Sequence, residues 1–160
     1  MNQQNIEMAN KPILKKCEIR DVKFGNNVTV VEPSNLYECE IGDNTFIGPF
    51  VEIQKNVKIG KNCKIQSHSF VCELVTIGDN CFISHGVMFI NDKFEIGKPA
   101  GGDKNYWKPT NIGNHVSIGT NATVLPVRIV DGAVIGAGSV VTKNILEKGI
   151  YAGNPAKRIK

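Results

Sequence analysis

Nowhere in these 160 residues does an uncharged apolar run approach the length of about 18 that a membrane-spanning helix needs. The opening stretch, MNQQNIEMANKPILKK, has no apolar segment resembling a secretory signal. Cysteine pairs of the C-x-x-C kind are missing as well. The five cysteines form an odd set without ligand spacing, which argues against a zinc ribbon and against a disulfide framework. A dominant charge is also lacking: the formal net charge of +4 is mild, and the lysines and arginines are scattered except near the end. That is not the footprint of a nucleic-acid binder. Together these absences predict a cytoplasmic protein that meets neither membrane nor nucleic acid. One domain is expected over residues 1–160, because 41% apolar content in a chain of this length suits a single continuous core.

What is present is a refrain. Ile41-Gly42-Asp43-Asn44 returns as Ile77-Gly78-Asp79-Asn80, with close variants at Ile59 and Ile112. The period is six: Ile41, Ile47, Ile53, Ile59, Ile65, Val71, Ile77, Ile83 and Phe89 are all apolar. Four residues after the first eight of these stand Thr45, Val51, Val57, Cys63, Ser69, Val75, Cys81 and Val87, all small. The pattern resumes at Ile112, Ile118 and Val124 and again at Ile129, Ile135 and Val141; an earlier set is Phe24, Val30 and Leu36. A helix needs spacings of three and four and a simple strand needs strict alternation, so neither template fits. Short strands with one large and one small inward residue, each followed by a Gly/Asn/Asp corner, do fit.

Three such strands per turn make a triangular parallel coil whose like positions stack about 4.8 Å apart. The expected fold class is therefore all-β, a parallel β-helix of hexapeptide repeats. Eighteen units give six turns over about residues 24–145, followed by a tail at 146–160. Leu36 to Ile41 and Val124 to Ile129 are one residue short, which predicts two tight corners. Cys63 and Cys81, separated by 18 residues at the small inward position, are expected to stack in the core as packing residues. One long extruded loop, residues 91–111, interrupts the count. Its middle is flexible (Gly101, Gly102) and its end carries Tyr106, Trp107 and Pro109. Such a length is uncommon in a compact domain unless the loop binds something.

The repeat, closed by VDGAVIGAGSVVTKNI and GIYAGNPAKRIK, resembles the hexapeptide-repeat acyltransferases, and those closing segments are similar to the end of their acetyl-CoA-dependent branch. The resemblance implies a left-handed coil, a homotrimer with sites at subunit boundaries, and acetyl-CoA as donor with no metal. HGVMFIND and GGDKNYWKPTNIGNHVSIGTNATVLP are similar to the branch that N-acetylates the amine of nucleotide-linked (UDP or dTDP) deoxyamino sugars for surface polysaccharides. Sugar O-acetyltransferases of this family usually carry a His-Pro where Asn91-Asp92 stands here. O-acetylation of a sugar or other small acceptor is thus the alternative.

Chemistry is expected where the period breaks or an outward corner carries a reactive group. His68 and His85 fall at corners of equivalent units and should be neighbours on one edge. His85, immediately before GVMFIND and the loop, is the candidate catalytic base, since an imidazole titrates near neutral pH. His115 has no such context. Asn91 and Asp92, with His68 and Trp107, are the candidate acceptor-binding residues. Gly119, Thr120, Gly136 and Ala137 put small residues on the last turns, where a ligand can approach the backbone. Lys143 and Arg158, aided by Lys157 and Lys160, are placed to attract CoA phosphates. A further alternative is a zinc enzyme resembling the gamma-class carbonic anhydrases, whose metal sits on three histidines from two subunits. This chain has three histidines, but without the close pair that such sites use. A non-catalytic β-helix scaffold is the last alternative.

Overall fold

The computed structural model describes residues 16–160 and shows the expected prism. The polar opening, residues 1–15, lies outside the described residues, as does the start of the proposed domain. Three parallel sheets form the walls of a left-handed β-helix. The first stacks Ile19–Arg20, Asn35–Tyr37, Glu52–Ile53, Phe70–Val71, Met88–Phe89, Thr123–Val124 and Val140–Val141. The second runs from Lys23–Phe24 through Glu40–Ile41, Lys58–Ile59, Val75–Ile77 and Thr110–Ile112 to Arg128–Ile129. The third starts at Thr29–Val30 and passes Phe46–Ile47, Lys64–Ile65, Phe82–Ile83, Ser117–Ile118 and Val134–Ile135 to Ile150–Ala152. Lys157–Arg158 then turns back antiparallel on that wall. No helix among the described residues is long and apolar enough to cross a membrane.

Register follows the sixfold count. Ile47, Ile65, Ile83, Ile118 and Ile135 pair in one column, and Ile41, Ile59, Ile77, Ile112 and Ile129 in another. All ten are buried. The small inward positions form columns too, and one of them is polar. Thr45 Oγ1 donates to the Gly60 carbonyl (2.9 Å), Cys63 Sγ to Gly78 (3.1 Å) and Cys81 Sγ to Gly113 (3.1 Å). Cys63 and Cys81 stack as expected, and each also satisfies a carbonyl of the next coil that the sheet ladder leaves free.

Most corners turn on a residue in the left-handed region, three places beyond the large inward one. Asn27, Asn44, Asn62 and Asn80 take it with φ between 54° and 57° and chain their side-chain amides at 3.3 Å. Asn tolerates this conformation better than residues with bulky side chains.

The coil is longer than the eighteen units imply. Ile19 pairs with Leu36 below the first counted unit, and Ile150 and Tyr151 pair with Val134 and Ile135 beyond the last. About seven turns result, and part of the stretch expected as a tail joins the third sheet. The first coil pairs on one side only, and the last meets the antiparallel Lys157–Arg158 in place of a further repeat, so inward positions at the ends are less strictly apolar; Tyr151 ends a column of isoleucines. The excursion also closes earlier than 111, because Thr110 and Asn111 pair with Val75 and Thr76.

Ile65 is fully buried and its neighbour Lys64 exposed. Ile65→Ala is expected to lower unfolding free energy by about 2–5 kcal/mol, and Lys64→Ala by less than about 0.5 kcal/mol, in denaturant titrations. Equal losses at the two positions would contradict an inward isoleucine column.

Candidate active site

The edge between the third and first walls carries Ser67-His68, His85-Gly86, Thr120-Asn121 and Ala137-Gly138 in successive coils. Backbone bonds fix that stacking: the Gly86 N–H donates to Ser67 (3.0 Å), Asn121 to His85 (2.9 Å) and Gly138 to Thr120 (2.8 Å). His85 is exposed, and its Nδ1 lies 2.8 Å from Ser67 Oγ. When Nδ1–H donates to that hydroxyl, Nε2 carries the free lone pair, as a base requires. Ser84 and Thr120 join hydroxyls at 2.8 Å beside it. Ser67 was not among the sequence candidates, although its interval of 18 from His85 is the repeat's own.

His68 shares this edge one residue out of step with His85 and stacks on Phe50, with ring centroids 4.9 Å apart. Gly119, Thr120, Gly136 and Ala137 lie on the coils above His85. Gly119 is demanded by the coil itself, since a Cβ there would come within 2.5 Å of the Ala137 nitrogen. Gly138 has open space in front of it. Lys143 is exposed at the opposite edge of the first wall, beyond Val140–Val141. Arg158 ties the terminal hairpin together, donating to Glu147 (3.2 Å) and to the Lys148 and Lys160 carbonyls. His115 occupies the third edge, so the three histidines do not converge within one chain. Among the described residues no group of three or more His, Cys, Asp or Glu could hold a metal ion.

The loop leaves from the edge between the first and second walls and folds back on itself. Asp92 pairs antiparallel with Trp107, and the Lys108 N–H donates to Asn91 (2.9 Å). Both Asp92 oxygens accept loop amides, Oδ1 from Phe94 and Oδ2 from Ala100, each at 2.8 Å. Asn91 Nδ2 donates to the Glu73 carbonyl at 3.2 Å. Between loop and first wall opens a largely apolar cleft of about 420 Å³, lined by Phe70, Met88, Asn91, Asp92, Phe94 and Trp107 among others. Asn91, Asp92 and Trp107 therefore meet at one cleft, across the first wall from His85. Cys72 also lines it. Burial pushes that thiol up to about 12, with Glu73 adding to the shift, so it is no nucleophile at neutral pH.

A staple unseen in the sequence holds the loop down. Glu73 is only 4% exposed, and its Oε1 accepts from Lys104 Nζ at 2.7 Å and from Asn56 Nδ2 at 3.0 Å. Burial raises the Glu73 carboxyl, but Lys104, Asn56 and Lys55 outweigh it and hold the group below its ordinary value. Lys104 is raised in turn by its bond to Glu73.

Against known proteins, residues 38–73 match the bacterial transferase hexapeptide (six repeats) family and residues 109–143 the hexapeptide repeat of succinyl-transferase. The bifunctional protein GlmU of Clostridium botulinum is 35% identical over 156 residues, covering 87% of this chain and 33% of that protein. The chain thus spans about a third of the length of this curated relative. AntD, an N-acyltransferase from Bacillus cereus solved as a mutant with dTDP and coenzyme A, superposes with a TM-score of 0.76 at 26% identity. The match covers 89% of this chain and 84% of that one. PerB from Caulobacter crescentus, solved with CoA and GDP-perosamine, has a TM-score of 0.65 at 18% identity, over 89% of this chain and 57% of that one; it shares the fold.

Because the folded pKa of Glu73 is depressed, the staple is fully formed above the ordinary carboxylate range and is lost as pH falls through the folded value. Glu73→Gln is therefore expected to be nicked by trypsin after Lys93 and Lys104, the loop lysines not followed by proline, several-fold faster than the parent at pH 7.5. The stability gap between the two proteins should close as pH falls below the ordinary carboxylate range. Equal nicking rates would show that other contacts hold the loop.

Proposed function

The chain belongs to the hexapeptide-repeat transferases, and we propose that it moves an acetyl group from acetyl-CoA to the amine of a nucleotide-linked (UDP or dTDP) deoxyamino sugar. One observation carries this reading: His85, set by Ser67, shares an edge with the small-residue coils while the loop cleft borders the same wall. Within one chain the donor coils and the base share that edge, and the acceptor cleft lies on the far side of the first wall. The likeness to AntD, whose crystals hold dTDP and coenzyme A, supports the same pair of substrates.

In the proposed reaction the sugar nitrogen attacks the thioester carbonyl, a C–N bond forms, and the C–S bond breaks. His85 Nε2 accepts the proton released from nitrogen and returns it to the departing thiolate, so protons balance. Ser67 acts as a positioning residue by fixing the tautomer and plane of the ring. Thr120, Gly136, Ala137 and Gly138 line the approach of the pantetheine arm, whose amides suit an exposed strand edge. Lys143, Lys157 and Arg158 supply positive charge near the last coils. Asn91, Asp92 and Trp107 frame the acceptor sugar.

We place these sites at the boundaries of a homotrimer. Exposed apolar side chains on the outer walls, Phe82, Met88 and Val134, support contact with further copies. Five free thiols suit the reducing cytoplasm.

The test is CoA release with UDP- and dTDP-linked amino sugars, with the product treated with alkaline hydroxylamine, which cleaves esters and spares amides. A hydroxylamine-resistant acetyl product is expected, and an ester would transfer the assignment to O-acetylation. His85→Asn should lower kcat by at least about 10²-fold with little change in KM for acetyl-CoA. Ser67→Ala should lower it by about tenfold. Turnover of His85→Asn within about threefold of the parent would leave proton removal to the thiolate itself.

A further inference from the structure

The His85 edge contains two side chains that its corner geometry does not favour. Where Asn or Gly fills the left-handed position at most corners, Phe50 (φ 59°) and His68 (φ 62°) put rings there. Phe50 is an outlier in that region, which histidine enters more readily. Packing does not explain it, because Phe50 is 56% exposed and His68 is exposed too. The rings instead stack on each other, with centroids 4.9 Å apart and planes 11° from parallel. In the next coil the same position is Gly86, so the column of rings stops beside His85.

We infer that the Phe50–His68 pair is a stacking platform for the planar nucleobase of the acceptor. The inference rests on the acetyl-transfer reading for the identity of that acceptor. Order along the edge supplies the argument. From the N-terminal end it runs Phe50, His68, His85, Thr120, Ala137, so the rings lie on the side of His85 away from the small-residue coils given to the donor. Two coils at about 4.8 Å each separate Phe50 from His85, a span that a ribose and diphosphate can bridge. A flat ring pair with no ionic partner recognises the face of a base and not its edge. Uracil and thymine should consequently be held almost equally well. The strained corner at Phe50, kept against local preference, fits a binding role better than a folding role.

Calorimetric titration of dTDP, UDP and CoA into the parent, Phe50→Asn and Phe50→Tyr tests this. Phe50→Asn should bind both nucleoside diphosphates about tenfold more weakly. Phe50→Tyr should stay within about twofold of the parent, and CoA affinity should be unchanged in both. Phe50→Asn should also melt about 2–4 °C higher, as expected on relief of left-handed strain. Any of four results overturns the platform: unchanged dTDP and UDP affinity in Phe50→Asn, a loss of CoA affinity instead, a lowered melting temperature, or a parent that binds neither dTDP nor UDP at millimolar concentration. CoA release by the parent is measured separately. A parent that binds dTDP through Phe50 yet transfers no acetyl group would sink the enzyme reading and leave the platform intact.

Discussion

Like stacks on like in this molecule. A residue and its counterpart one coil away face the same direction about 4.8 Å apart, so every position must tolerate a near copy of itself above and below. Branched apolar side chains satisfy that inside the prism, and the isoleucine columns show it. Glycine satisfies it at the corners: a Cβ on Gly42 would come within 2.6 Å of the Gly60 carbonyl carbon. The polar column of Thr45, Cys63 and Cys81 meets the same condition by donating to the coil above. Because the ladder is local, a coil can be interrupted without loss of register. Val75–Ile77 pairs directly with Thr110–Ile112 although the loop lies between them.

The same rule organises the surface where chemistry is proposed. Edge residues stack as the core does, so Ser67 lies against His85 and Phe50 against His68 for the reason that Ile65 lies against Ile83. A regular edge gives a base a fixed orientation without a dedicated second element. The loop departs from the rule and needs its own anchors. Asp92 organises it from within, and the Glu73–Lys104 pair ties it to the wall. A carboxylate buried this far is costly to leave alone, and pairing with Lys104 and Asn56 keeps it charged down to acid pH.

Much of the fold was legible because an inward column has a strict chemical demand repeated every six residues. Ile41 through Phe89 announce it without ambiguity. The end coils were not, since Ile19 has a paired strand on one side only and Ile150–Ala152 is capped by an antiparallel return that the six-residue count does not govern. His85 and His68 could be placed on one edge by counting. Ser67 was hidden by the commonness of serine at corners, and Glu73 by the commonness of acidic residues there; neither residue type implies a partner until the coil brings one. Asp92 was legible as a cleft residue, while the commitment of both its oxygens to loop amides was not.

By itself, then, the sequence determined the period, the three-walled coil and the place where the coil breaks, because those depend on side-chain size at fixed intervals. Only the tertiary structure decided which groups face one another outside the column: Ser67 on His85, Lys104 on Glu73, Phe50 on His68. Contacts of that kind depend on which edge a residue reaches and how a loop returns, and no interval along the chain encodes a return path.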